Sequence, residues 1–184
     1  MKPIERADIV DWQTYEDTRA QTRPAAIAAK AARRVQLGEH FTFLFENRDT
    51  IRYQVQEMMR IEKIVRDADI QHEIDTYNEL LHEGGKLGCS LLIGIDDPAD
   101  RDAKLTAWRG LCDHLYALSP DGDKIRAEFD PRQVGDDRLS SVQYLAFPLG
   151  ATAPVAVGVD HPEVTVEVQL TDEQRAALQA DLES

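Results

Sequence analysis

FLFENRDTIRYQVQEMMRIEKIV, residues Phe43 to Val65, decides how the first half of this chain is read. Phe43 and Phe45 alternate with Leu44, continuing the alternation begun at Phe41, which is the period of a strand. From Asn47 the apolar spacing changes to three and four, which is the period of a helix, and Asn47 or Asp49 can cap it. At about 100° per residue, Ile51, Val55, Met58 and Val65 fall within roughly 40° of one face. Glu62 falls about 20° from the centre of that face. The pattern therefore predicts a helix to about Arg66 with a carboxylate, Glu62, in its buried stripe.

Outward from this stretch, residues 6–37 read as helix broken at Pro24, with Pro24–Leu37 alanine-rich and Gly38 as the stop. Asp69 can cap a further helix through Leu81, ended by Gly84-Gly85. Its stripe is Ile70, Ile74, Tyr77 and Leu81, with Glu73 and Asn78 on the shoulders. Residues 87–95 alternate as a strand, and Asp97-Pro98 opens a helix to about Cys112. Five further strands are expected at His114–Leu118, Lys124–Phe129, Val142–Phe147, Pro154–Val159 and Val164–Leu170. Thr171, with Gln174 at the capping-box position, starts a terminal helix.

Helices early and strands late, without βαβ alternation, predict a single α+β domain over residues 1–184. It is helix-rich over 1–85 and strand-rich over 86–170, with a terminal helix over 171–183. N-terminal helices, including a helical hairpin, should pack on a largely antiparallel sheet. Homodimerisation is expected from the base rate for symmetric oligomers and from sheet edges without an evident cover.

Composition narrows the function classes. A net charge of −13 opposes non-specific nucleic-acid binding, because it repels phosphate. The first residues, MKPIERADIVDW, contain no apolar core of a secretory signal, and no apolar run approaches the ~20 residues of a bilayer span. A cytoplasmic location without membrane contact is the expectation. Cys89 and Cys112 are the only cysteines, too few for a zinc site unaided and in no CxxC arrangement.

The carboxylates carry the sharpest chemical candidates. With a short join at Asp67-Ala68, a hairpin would bring Glu62 and Glu73 to one level. Such a pair, with Glu57, could hold a divalent metal or share a proton. The structural alternative is ion pairing, Glu62 with Arg66 at i,i+4 and Glu73 with Arg60. The two Glu-x-x-His pairs of ferritin-like di-iron sites are absent. Arg48, Gln54 and Asn78 lie close enough in helical phase to support a polar network with these carboxylates. A second candidate group is Arg138, Ser141, Tyr144 and His161. No nucleophile elbow surrounds Ser141, Asp160-His161-Pro162 reads as a turn, and neighbours in Cys112-Asp113-His114 point to opposite faces.

Several motifs share a wider pattern: Phe45-Glu46-Asn47-Arg48-Asp49-Thr50, Gln54-Val55-Gln56-Glu57-Met58 and Glu73-Ile74-Asp75-Thr76-Tyr77-Asn78-Glu79-Leu80. With Arg138-Leu139-Ser140-Ser141-Val142-Gln143-Tyr144-Leu145 and Asp160-His161-Pro162, the chain resembles a bacterial family called domain of unknown function 3501, over nearly its whole length. The resemblance implies no assigned activity or catalytic residues. It implies tolerance of acidic residues at His72, which favours Glu73 over His72 as a ligand. Genes of the family often neighbour those of rubrerythrin-like and iron–sulfur oxidoreductase-like proteins, which implies an oxidoreductase partner near iron or peroxide handling. The leading expectation is a non-enzymatic accessory or interaction protein. The alternative is a metal-binding protein or metalloenzyme using the hairpin carboxylates.

Overall fold

The fold was read from a computed structural model that describes every residue except Val134 and Asp136. Among the described residues, eight strands form two antiparallel four-stranded sheets. The first comprises β1 (Arg34–Leu37), β2 (Phe41–Phe45), β3 (Lys86–Ile93) and β6 (Val142–Pro148), in that order. The second has the order β5 (Lys124–Arg126), β4 (Leu115–Leu118), β7 (Ala156–His161) and β8 (Val164–Gln169). Phe41, Phe43 and Phe45 point into one core with Leu87, Leu91 and Phe147 of their own sheet and Leu115, Val157 and Val159 of the other. The alternation read at residues 41–45 is thus the inward face of a two-sheet sandwich.

Helices close the sandwich at its ends. Helix α4 (Pro98–Ala107), capped by Asp97 and opened by Pro98, contributes Leu105, while the following Trp108 sets its ring 5.0 Å from that of Phe41. At the other end of β2, helix α5 (Asp172–Leu182) buries Leu178. Its Thr171–Gln174 capping box forms as the sequence predicts.

A second core belongs to the helices. Helix α1 (Trp12–Ala31) lies against α2 (Arg48–Glu62), which packs with α3 (Asp67–Asn78). Ile51, Val55 and Met59 of α2 meet Ile70 and Ile74 of α3, with Ile4 and Ile9 of the amino-terminal segment sealing the cluster. The end of α3 reaches the outer face of the first sheet at Gly88. A Cβ there would come 1.9 Å from the Leu80 carbonyl oxygen, so only glycine permits this approach.

Several elements differ from the sequence expectation. Helix α1 runs through Pro24 without a break. Residues 34–37 form β1 rather than helix, because Val35 and Leu37 alternate into the sandwich core while their strand pairs with β2. Helix α2 stops at Glu62, where Lys63 adopts the left-handed conformation at φ 52°. Helix α3 begins at Asp67, so Asp69 lies within its first turn instead of capping it.

Sheet edges expected to lack a cover have one. Glu128 and Ala146 exchange two backbone hydrogen bonds of 2.8 Å, joining the end of β5 to β6. Next to it, the Gln133 amide donates to the Tyr144 carbonyl at 2.8 Å and accepts from the Tyr144 N–H at 2.7 Å, standing in for a strand. Gln174 donates to the Arg34 carbonyl, and Gly38, just past β1, approaches Val166 of β8.

Candidate functional site

Each predicted carboxylate has a definite place, and the three do not meet. Glu57, only 12% exposed at its side chain, accepts two bonds from Arg19 at 2.7 and 3.0 Å and one from the Tyr15 hydroxyl at 2.7 Å. Arg60 adds a longer contact of 3.4 Å. Burial pushes the Glu57 carboxyl up, but the Arg19 and Tyr15 hydrogen bonds outweigh it and hold the group at about 2. This carboxylate is spent on joining α1 to α2. Arg60 serves Glu57 and Glu16, not Glu73 as expected.

Glu62 is exposed, a correction to the buried position expected for it. Val65, a member of the expected stripe, lies beyond the helix and is 71% exposed. The stripe that packs is Ile51, Val55 and Met59, and Glu62 occupies the last turn, past the residues that face α3. Between the two helices Gln54 contacts Tyr77, and the charges of Glu73 and Glu62 both act on that phenol. Among the described residues, no three acidic, histidine or cysteine side chains gather as metal ligands.

The supporting residues have structural partners. Arg48 pairs with Asp8 and not with the carboxylates expected for it. Asn78 accepts from the Ile4 N–H at 2.8 Å and donates to its carbonyl at 2.9 Å, pinning the amino-terminal segment on α3. Gln54 accepts from Lys30 at 3.1 Å. The second group is dispersed. Arg138 pairs with Asp102, and Ser141 offers its carbonyl to the Ile93 N–H. His161 is buried on the other sheet, with Nδ1 accepting from the Glu163 N–H and Nε2 donating to the Arg109 carbonyl.

The junction motif from Phe45 to Thr50 is a buried polar network. The Glu46 carboxylate accepts from Thr50 at 2.6 Å and Ser90 at 3.1 Å, while Asn47 caps α2 in a capping box with Thr50. Asn47 also donates to Asp181 of α5, whose carboxylate takes a two-point contact from Arg33 at 2.6 and 2.8 Å. These bonds tie β1, β2, β3, α2 and α5 at one point. Of the two cap candidates Asn47 and Asp49, Asn47 caps the helix, and the ion pair of the network is Arg33–Asp181.

Two predicted residues from different groups do meet. Glu73 and Tyr144 line a cleft of about 640 Å³ between α3 and β6. Its lining includes Met58, Leu80, Leu145 and Ala146 and the aromatic residues Tyr77, Phe129 and Tyr144. The lining also holds Glu73, Glu79, Glu128, Asp130 and His82, and neither lysine nor arginine is among its described residues. Glu128 pairs with Lys86 and Asp130 with Arg132, whereas Glu73 is in no ion pair among the described residues. Tyr144 is half exposed although its backbone is clamped by Gln133. Burial, then the charge of Glu73, raises the Tyr77 phenol above its ordinary value, so it stands in the cleft as a neutral hydroxyl. The cleft is not legible in the sequence because its lining comes from stretches far apart in the chain, Met58, residues 73–82 and residues 128–146.

The cysteines are closed to chemistry. Cys89 is fully buried and its thiol is pushed well above the ordinary range by burial; Cys112, beside Gln143, is pushed up to about 12 for the same reason.

The sequence profile of the family described as "Protein of unknown function (DUF3501)" matches residues 3–182. The chain belongs to this family. A crystal structure described as a novel protein of unknown function from Burkholderia pseudomallei K96243 is similar to this DUF3501 chain, with a TM-score of 0.89 and 31% sequence identity. The similarity covers 98% of this chain and 99% of that one. No curated protein matches the chain. No described helix of this DUF3501 protein is long and apolar enough to cross a membrane.

Proposed function

We propose that this DUF3501 protein is a non-catalytic cytoplasmic accessory protein that works by binding, and that its working surface is the cleft between α3 and β6. The observation that carries this reading is the contrast in how side chains are used. The carboxylates of Glu57, Glu46 and Asp181 are consumed by partners within the chain, whereas Glu73 and the Tyr144 ring face a cleft of about 640 Å³. That volume and its largely apolar lining with a few polar groups are those of ligand sites generally. The metal alternative loses its support in the ion pairing of Glu57 and the exposure of Glu62.

Methionine methyl resonances test the reading. Met58 lines the cleft, while Met59, its neighbour in sequence, is fully buried in the helical core and serves as the internal reference. In protein labelled at methionine methyls, amines, carboxylates, nucleotides and neutral alcohols are screened in turn. Shifts confined to Met58, with the compound recovered unchanged, are expected for at least one class. Conversion of the compound to a product, or no class moving Met58, would contradict the proposal.

A further inference from the structure

The occupant of the cleft is defined by what surrounds it. Its lining is partly aliphatic, so part of the ligand is a hydrocarbon chain seated on Met58, Leu80 and Leu145. Three aromatic residues, Tyr77, Phe129 and Tyr144, are in its lining, and the face of an aromatic ring attracts cations. Its charged lining is anionic apart from His82, whose imidazole is pushed below its ordinary value, first by burial and then by Lys86.

Not all of that anionic charge is available. Lys86 occupies Glu128 at 2.6 Å, and Arg132 folds onto Asp130. Glu73 and Glu79 have no such partner among the described salt bridges, and they lie six residues apart at the end of α3. At 1.5 Å per residue the two are separated by about 9 Å along the helix axis. Two carboxylates at that separation, neither in a close ion pair among the described residues although Arg132 lies within the field of Glu79, beside an aliphatic and aromatic lining, call for cations carried on a chain of methylenes. An anionic ligand would meet repulsion from Glu73 and Glu79, and a neutral apolar one would leave Glu73 without a partner beside it.

We infer that the cleft binds a linear aliphatic diamine or polyamine, with one ammonium at Glu73 against the Tyr77 and Tyr144 rings and a second toward Glu79. The inference rests on the cleft being the working surface and adds the chemical class of its ligand.

Isothermal titration with spermidine and hexamethylenediamine at ~0.15 M salt tests it, since screening there suppresses long-range attraction to a chain of charge −13. One equivalent is expected to bind, and the diol counterpart of hexamethylenediamine is expected not to bind. Tyr144→Ala leaves the net charge unchanged and should weaken spermidine at least tenfold; Glu73→Gln should do the same. Circular dichroism melts of both variants establish that they are folded. Several weak equivalents, insensitive to Tyr144→Ala, would overturn the inference by reducing it to general attraction to an acidic surface. So would equal binding of the diol. An oligolysine peptide binding ten times tighter than spermidine would overturn it by placing the cation on a protein partner. If amines leave the Met58 methyl unmoved while another class shifts it, the polyamine assignment fails and the cleft proposal stands; if nothing shifts it, both fail.

Discussion

The junction around Asn47 and the cleft around Glu73 use similar residues in opposite ways. At the junction, Glu46 and Asp181 are buried and their oxygens are met by Thr50, Ser90, Asn47 and Arg33. In the cleft, Glu73 is half-buried and shares its lining with aromatic residues around a volume of about 640 Å³. Carboxylates placed in low-dielectric surroundings are costly unless paired, so a paired one is architecture and an unpaired one is a candidate for an external partner. Residue type alone does not separate the two cases.

The comparison predicts unequal responses to substitution. Asp181, 7% exposed, should give the largest effect. Asp181→Ala leaves the Arg33 guanidinium buried and unpaired and should cost about 3–5 kcal/mol in urea unfolding. The double replacement Arg33→Met with Asp181→Leu should recover most of that loss, because it removes both charges together. A small effect of Asp181→Ala would mean that the junction is not the structural half of the comparison.

Glu57 comes next, and its effect depends on pH. Its folded pKa, about 2, lies below its usual value of 4.5, so the unfolded chain takes up the proton first as pH falls. The stability it supplies is fully present above pH 4.5 and is lost as pH approaches 2. Glu57→Gln should cost about 1.5–3 kcal/mol at neutral pH, the range of charge-assisted hydrogen bonds. It should also flatten the stability profile between those two pH values, and unchanged acid unfolding would show that the α1–α2 tie is weak.

Gly88→Ala probes the link between the two regions. The added methyl would fall 1.9 Å from the Leu80 carbonyl oxygen, and relieving that overlap should cost about 1–3 kcal/mol. Because Leu80 also forms part of the cleft lining, the Met58 methyl resonance should shift in this variant without ligand. A native stability and spectrum would detach the cleft from the sheet.

How far the sequence led depended on whether a signal was local. The strand at Phe41–Phe45, the Asn47 start of α2, the Asp97-Pro98 start of α4 and the Thr171–Gln174 box are decided by residues within a few positions, and all were legible. Strand β1 was not, because Ala31-Ala32-Arg33-Arg34 favours helix locally and only pairing with β2 draws Val35 and Leu37 into the core. Glu62 was misplaced by a similar limit: the helical period has no marker for where packing ends, and the left-handed Lys63 carries no glycine to announce it. The site was half legible. Glu73 and Tyr144 were both singled out, but in separate groups, because they come from stretches far apart in the chain.

The central claim is that Glu73 is held for a partner outside the chain while the junction carboxylates hold the fold. The unfolding free energy of Glu73→Gln in urea, measured without ligand, tests it most directly. Removing a charge that serves binding and not packing should leave stability within about 0.5 kcal/mol of the starting protein, or raise it. A loss approaching the about 3–5 kcal/mol expected for Asp181→Ala would contradict the account, because Glu73 would then be one more carboxylate spent on the architecture.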